Sequence, residues 1–229
     1  MQTRIAEQLG SMATPGTWGQ SSDRWATADE FLEMLKTTSD DEEFISSASS
    51  LAETRQQVFN ESIRQLTSLL STSDARSRQR ALITIGFMQH YRPEQMTEHT
   101  DSVVAAIIPL LSDLDENAEA IGTLEAFGSN ARDAIGPLRS IMDDDNAWFA
   151  PAAAVAVARI DPTVEIGTRL AEFVSRHPDW YTAAFHLGEH MESHQARRVL
   201  LKAYKEDKDE LKRSGIIQAL NQIQIEPEQ

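Results

Sequence analysis

A motif that occurs nearly twice constrains the fold of this chain more than any other feature of its sequence. The first copy, Asn-Ala-Trp-Phe-Ala-Pro at 146–151, opens a run of small residues at 152–158. The second copy, Pro-Asp-Trp-Tyr-Thr at 178–182, lies 32 positions later, counted from Trp148 to Trp180, and opens a shorter alanine run. An aromatic pair followed by an alanine-rich segment at a constant step is typical of repeat architectures, in which one helical unit stacks on the next.

The apolar residues of the chain recur at helical spacing, and no segment alternates as a strand would. They make up 41% of the 229 residues, which is enough for a continuous core. The first regular stripe has i, i+3 and i+4 spacing; its members are Val58, Phe59, Ile63, Leu66, Leu69 and Leu70. We therefore predict an all-α solenoid, a superhelix of antiparallel helical pairs with an N-terminal helical extension.

The helical pairs can be aligned in columns. Pro109 and Pro137 occupy the same place in two first helices and predict the same kink, because proline removes a backbone donor. The second helices share a column of mostly small residues, namely Ala81, Ala120, Ala152, Ala184 and Ile216. We expect Ala120, Ala152 and Ala184 to be buried between layers. Seven positions earlier, in the turns before the second helices, lie Asp74, Asp113, Asp145, His177 and Asp209.

A proline in the first helix, an aspartate at the turn and an alanine-rich second helix resemble HEAT repeats, particularly the shorter bacterial and archaeal HEAT-like type. The resemblance covers about residues 51–224, as roughly five helical pairs. It implies a curved solenoid and often a protein-binding role, and it implies no chemistry. We divide the chain into an N-terminal arm with short helices at 1–50 that pack as a cap, the repeats at 51–224, and a tail at 225–229.

Local signals place the first helices within the N-terminal part. A short helix is possible at Ile5–Met12. Thr27-Ala28-Asp29-Glu30 reads as a capping box, with Thr27 as the N-cap and Glu30 reaching back. The acidic run Ser39-Asp40-Asp41-Glu42-Glu43 precedes another helix, where the helix dipole favours negative charge.

Composition narrows the class of function. The absence of cysteine excludes disulfides and thiolate metal sites, and no apolar run reaches the roughly 18 residues of a membrane span. The N-terminus lacks the apolar region of a signal peptide, so we expect a cytoplasmic protein. A net charge of −15 argues against nucleic-acid binding. This charge is uneven: residues 99–179 carry 14 acidic and 5 basic residues, a net of −9, whereas residues 191–215 carry 5 and 7, a net of +2.

The acidic and aromatic residues between the helices form the candidate binding surface. Acidic residues cluster in two corresponding turns, at Asp113, Asp115 and Glu116 and at Asp143, Asp144 and Asp145. Trp148, Trp180 and Tyr181 follow along one edge. The acidic clusters either cap helices and remain solvated or attract a basic partner, and the aromatic residues either hold repeats together or anchor that partner.

Three residues near the C-terminus are a weak candidate for a metal site. His186 and His190 lie one helical turn apart with Glu189 between them, so their imidazoles could converge on an ion, although the order is not that of a zincin. HEAT-like deoxyhypusine hydroxylases bind iron through repeated His-Glu pairs, but here only Glu189-His190 occurs, reversed. HEAT-like alkylpurine DNA glycosylases use aromatic and aspartate residues, but on a basic surface.

The sequence therefore predicts a non-catalytic protein-binding scaffold or inhibitor of the immunity or adaptor kind, without a cofactor. The predicted partner is a protein with a basic surface, not a nucleic acid or a membrane, and the oligomeric state is left open. The alternative is a HEAT-like enzyme, either of the metal-dependent hydroxylase type or of the DNA glycosylase type.

Overall fold

The computed structural model describes residues 27–51, 56–72, 74–113 and 117–223. Within these ranges the chain is helical and contains no strand, and no helix is long and apolar enough to cross a membrane. The helices are α1 (Ala28–Thr37), α2 (Asp41–Leu51), α3 (Gln56–Leu69), α4 (Ala75–Tyr91), α5 (Pro93–Met96), α6 (Thr100–Ile107), α7 (Asn117–Phe127), α8 (Ile135–Asp143), α9 (Ala150–Ile160), α10 (Gly167–Arg176), α11 (Trp180–His186), α12 (Ser193–Glu206) and α13 (Glu210–Gln222). Short 3₁₀ segments follow or precede them at Thr97–His99, Ile108–Ser112, Gly128–Ala134 and Leu187–Glu189.

The helices stack as pairs, so the molecule is an α-solenoid. Second helices pack on second helices along the series α4, α7, α9, α11 and α13, and α10 packs on α12 among the first helices. The pair α1 and α2 lies on α3 and α4 in the same manner. Each layer thus buries its apolar face against the next, which a single pair cannot do alone.

Side-chain oxygens cap several helices. Thr27 Oγ1 accepts a hydrogen bond from Glu30 N at 3.2 Å, as the capping-box signal predicts. Asp40 Oδ1 accepts from Glu42 N at 2.8 Å at the start of α2. Asp74, Asp179 and Asp209 cap α4, α11 and α13. The helix predicted at Ile5–Met12 lies outside the described residues.

The helix α9 lies between two apolar cores and contributes residues to both. Its residues Ala153, Ala156, Val157 and Ile160 belong to the core on the N-terminal side. Its residues Ala150, Ala154, Val155 and Ala158 belong to the core on the C-terminal side. The alanines on these two faces of α9 allow the neighbouring helices to approach it closely from both sides.

The predicted column of small residues is one residue out of register in α9. Ala120 and Ala184 are 0% and 1% exposed, which confirms two of the three predicted burials. Ala152 is only half-buried, so that prediction is wrong. Ala153 and Ala154 face the two cores, and the position before them falls where neither neighbouring layer covers it fully.

The two prolines do not sit at matching kinks within α-helices. Pro109 lies in the 3₁₀ segment that directly continues α6, whereas Pro137 lies in the first turn of α8, which directly continues a 3₁₀ segment. Each proline therefore marks a change between α and 3₁₀ geometry, where the missing N–H removes little.

Candidate functional site

The aspartates of the intra-pair turns have different partners. Asp74 and Asp209 are helix caps, as above. A carboxylate oxygen of Asp113 lies 3.6 Å from Arg78 Nη2, and Asp145 Oδ1 lies 2.8 Å from Arg169 Nη2. Two of the acids predicted to attract a partner are thus already in ion pairs. The predicted site residues Asp115 and Glu116 lie outside the described residues.

The turn between α8 and α9 is built by its own backbone and by two residues of the next pair. Asp144 Oδ1 accepts from Asn146 N at 2.9 Å, and Asp144 O accepts from Ala147 N at 3.0 Å. His177 Nε2 lies 3.1 Å from Ala147 O. Because His177 Nδ1 accepts from the backbone N–H of Asp179, at 3.0 Å, Nε2 is the nitrogen that carries the proton and donates.

Arg169 of α10 is the second residue, after His177, that holds this turn in place. Its Nη2 donates to Met142 O at 2.9 Å and to Asp145 Oδ1 at 2.8 Å, while Nη1 donates to Glu172 Oε2 at 3.0 Å. The guanidinium carbon lies 4.3 Å from the centroid of the Phe173 ring. Hydrogen bonding to Arg169, and its charge, hold the pKa of Asp145 below its usual value. The turn is therefore rigidly attached to the following layer.

Trp148 projects from this rigid turn into solvent. Its side chain is 56% exposed, the largest exposed fraction of any aromatic residue in the described ranges. Asp143 and Asp144 are also exposed. We call these three residues, Asp143, Asp144 and Trp148, the Trp148 corner.

Trp180 has the opposite environment. It is the first residue of α11 and is half-buried against α13. A Cβ on Gly215 would lie 2.6 Å from Cη2 of Trp180, so the ring occupies the space that a side chain would need. Lys212 Nζ lies 5.6 Å from the centroid of the Trp180 ring. Trp180 therefore holds two layers together.

Tyr181 lies between these two cases. Its side chain is 38% exposed, and its ring centroid lies 4.4 Å from that of Phe185 and 5.6 Å from that of Trp180. The structure thus divides the predicted aromatic edge into three cases: Trp148 is exposed, Trp180 is half-buried and packs between two layers, and Tyr181 is partly exposed.

The predicted histidine cluster is part of a polar network across three second helices. His186 Nδ1 lies 3.3 Å from Glu189 Oε2, and the same oxygen lies 3.3 Å from Arg159 Nη2. Arg159 Nε lies 3.7 Å from Glu125 Oε1. Burial raises the pKa of Glu125 and lowers the pKa of His190.

This network uses Glu189 for ion pairing, which is a different role from metal ligation. Across the described ranges, no group of three or more His, Asp or Glu side chains is arranged to hold a metal ion. The sequence interpretation missed Glu125 and Arg159. A signal was present for Glu125, because Glu125 and Glu189 each lie five positions after an alanine of the aligned column, Ala120 and Ala184.

Comparisons with known proteins return structures and no sequence relatives. No protein-family model matches the chain, and no curated protein matches it. An engineered protein of known structure is 17% identical with a TM-score of 0.49, covering 86% of this chain and 96% of that chain. Two designed armadillo repeat proteins, one for modular peptide recognition and one in complex with the peptide (KR)4, are each 16% identical with TM-scores of 0.47, covering 84% of this chain and 98% of theirs. Likeness at this level carries no argument about the site, and the solenoid assignment stands on the observed stacking of the helices.

Proposed function

We propose that this chain is a non-catalytic protein-binding scaffold that captures a partner with a basic surface through the Trp148 corner. The observation that carries the proposal is the display of Trp148, 56% exposed, on a turn held in place by Arg169 and His177 of the next pair. The assignment to the short HEAT-like type and an immunity or adaptor role belong to the same proposal.

A rigid turn with an exposed indole is well suited to binding. Trp is enriched among the residues that carry most of the energy of an interface, and its side chain has only two rotatable bonds to immobilise. The turn is already ordered by the hydrogen bonds to Met142 O and Ala147 O, so little backbone entropy remains to be lost on binding. Trp148 is therefore the anchor of the proposed surface.

The charge around Trp148 selects the partner. The exposed carboxylates of Asp143 and Asp144 belong to the acidic middle of the chain and would attract lysine and arginine side chains. Such cations can also stack on the indole face. Asp113 and Asp145 contribute less than predicted, because Arg78 and Arg169 already neutralise them. The partly exposed Tyr181 extends the surface toward the next turn.

A basic probe peptide tests the proposal through binding kinetics. An alternating lysine–arginine octapeptide is immobilised, and binding of the full chain is followed over a range of salt concentrations. Trp148→Ala should speed dissociation by about 30-fold, since loss of an aromatic hot spot costs roughly 2 kcal/mol. Asp143→Asn with Asp144→Asn should slow association, because the two carboxylates attract the basic peptide. The association rate should also depend less on salt, since salt screens this attraction beyond a Debye length of about 8 Å at physiological salt.

Matched variants elsewhere serve as controls. Tyr91→Ala removes another exposed aromatic side chain, and Glu33→Gln with Glu42→Gln removes two exposed carboxylates from the N-terminal helices. If these controls weaken peptide binding as much as the corner variants do, the attraction comes from overall charge and the proposal fails.

A further inference from the structure

The outer face of α12, in the last helical pair that the structure describes, is basic and partly apolar. Ala196, Leu200 and Ala203 bury the opposite face of this helix. The outer face carries exposed residues at i, i+3, i+4 and i+7 spacing, and we call them the α12 stripe: Arg198, Leu201, Lys202 and Lys205. With Glu206 they line a shallow cleft of about 330 Å³.

This stripe has no covering layer in the part of the chain that the structure describes. There, α12 packs on α10, α13 and the 3₁₀ segment Leu187–Glu189, and no helix follows α13. Leu201 is 39% exposed within the stripe, and Leu211 and Ile217 on the neighbouring α13 are 80% and 45% exposed. These exposed apolar side chains, on two helices that pack together, offer a partner apolar area beside the basic stripe.

The charge of the stripe is the reverse of that of the chain as a whole. The helix α12 contains Arg197, Arg198, Lys202 and Lys205 against one acid, Glu206, a net of 4 − 1 = +3. The whole chain carries −15. The α12 stripe is therefore a basic surface, and a basic surface is what the Trp148 corner is proposed to bind.

We propose that the α12 stripe of one copy of this chain binds the Trp148 corner of a second copy. The proposal rests on the function proposed above and names its basic partner. Leu201 would offer an apolar contact for the indole of Trp148 in the cleft, and the surrounding cations would pair with Asp143 and Asp144. Arg198 or Lys202 would stack on the indole face.

The chain already uses this pairing of cations with aromatic rings at its repeat junctions. Lys212 Nζ of α13 lies 5.6 Å from the ring centroid of Trp180 in α11, and the guanidinium carbon of Arg80 in α4 lies 4.9 Å from the centroid of Phe44 in α2. The proposed contact would reproduce between copies a pairing that joins helical layers within one copy.

The two surfaces differ, so the contact is heterologous. Each copy that uses its corner retains a free stripe, and association continues until a ring closes or an open filament forms. Self-association should therefore grow with protein concentration and weaken with added salt, because the pairing is between exposed charges.

Sedimentation velocity of the full chain, over increasing protein concentration, tests the proposal with two variants. The corner variant carries Asp143→Asn, Asp144→Asn and Trp148→Ala, and the stripe variant carries Arg198→Gln, Leu201→Ser and Lys202→Gln. Each variant alone should associate at least about 30-fold more weakly than the parent chain, the loss expected for one aromatic hot spot. An equimolar mixture should form dimers and nothing larger, because only one productive pairing remains.

The control Lys36→Gln removes an exposed cation distant in sequence and should associate as the parent does. A parent chain that stays monomeric up to roughly 1 mM overturns the inference. Association that survives in the corner variant but not in the stripe variant also overturns it, since the stripe then binds another acidic surface. If copies do not associate but the octapeptide still requires the corner, the proposed function stands and only the second-copy partner fails.

Discussion

Trp148 and Trp180 occupy equivalent places in successive repeats and have opposite environments. Trp148 stands in a turn, 56% exposed, two residues before α9 begins. Trp180 is the first residue of α11 and packs against Gly215 of the next layer. The same aromatic pair thus serves once as a displayed side chain and once as a joint between layers.

Helix capping accounts for the first part of this difference. Asp179 caps α11: its Oδ1 accepts from Thr182 Oγ1 at 3.0 Å and, more weakly, from Thr182 N at 3.5 Å, so the helix includes Trp180. The residue 32 positions earlier is Ala147, which has no capping oxygen. Pro151 stands near the start of α9, where its missing N–H costs nothing. The helix α9 therefore begins later, and Trp148 remains outside it.

The neighbouring layer accounts for the second part. Trp180 reaches α13 because position 215 is glycine, and a Cβ there would lie 2.6 Å from its ring. The residue 32 positions before Gly215 is Ala183, which is fully buried and carries a methyl group. The tryptophan of this motif therefore packs between layers where an aspartate caps the helix and the next repeat supplies a glycine. It stays exposed where alanines occupy those two positions.

The largest expected contrast is between truncations of the two tryptophans. Trp180→Ala should lower the free energy of unfolding by about 2–4 kcal/mol, because it opens a cavity between α11 and α13. Trp148→Ala should change it by no more than about 0.5 kcal/mol, as for other surface substitutions. Urea unfolding followed by far-UV circular dichroism measures both. Equal losses of stability would mean that Trp148 is packed rather than displayed.

Gly215 provides the next test of the same comparison. Gly215→Ala should lower the free energy of unfolding by about 1–2 kcal/mol, because displacing the Trp180 ring outweighs the better helix propensity of alanine. Gly122→Ala in α7 is the matched control, since nothing lies within 4 Å of its Cβ position. It should stabilise the protein by about 0.5–1 kcal/mol. A stabilising Gly215→Ala would contradict the close approach of Trp180.

Removal of Arg169 should loosen the turn of Trp148 and leave the turn of Trp180 intact. Arg169→Met keeps the aliphatic stem over Phe173 but loses the hydrogen bonds to Met142 O, at a cost of about 1–2 kcal/mol. Amide hydrogen exchange should accelerate at Ala147, whose N–H bonds to Asp144 O within this turn. Exchange at Thr182, in the turn capped by Asp179, is the internal control. Equal acceleration at both amides would indicate general destabilisation.

The smallest effect is an opposite dependence on pH in the two turns. Arg169 lowers the pKa of Asp145, so the stabilisation is present above the unfolded value of 3.8 and is lost as pH falls through the folded pKa. Burial raises the pKa of Asp179, so its contribution is largest below 3.8 and is lost as pH rises through the folded pKa.

Asparagine variants of the two residues report this difference. At pH 7, Asp145→Asn should destabilise the protein, whereas Asp179→Asn should stabilise it, since asparagine can still cap α11 without a buried charge. The difference for Asp179→Asn should shrink as pH falls to 3.8, whereas the difference for Asp145→Asn should shrink only as pH falls below 3.8. Unfolding curves at neutral and acid pH measure them. The same sign for both variants at pH 7 would contradict the two environments.

Local patterns alone determined the helical class, the pairing of helices and several caps. The spacing of Phe59, Ile63 and Leu66 places one buried face on α3, and Thr27 caps α1, because both effects act within a few turns of one helix. The alignment of small residues likewise anticipated the burial of Ala120 and Ala184.

Contacts between layers decided the rest. Asp145 forms an ion pair with Arg169, 24 positions later, and the Trp180 ring packs in the space beside Gly215, 35 positions later. Ala152 is not buried because neither of the two layers beside α9 covers its position fully. These outcomes depend on which side chain the next repeat supplies within a few ångströms. The periodicity of the sequence indicates that each helix packs against another helix. Only the tertiary structure shows which side chains of the two helices are in contact.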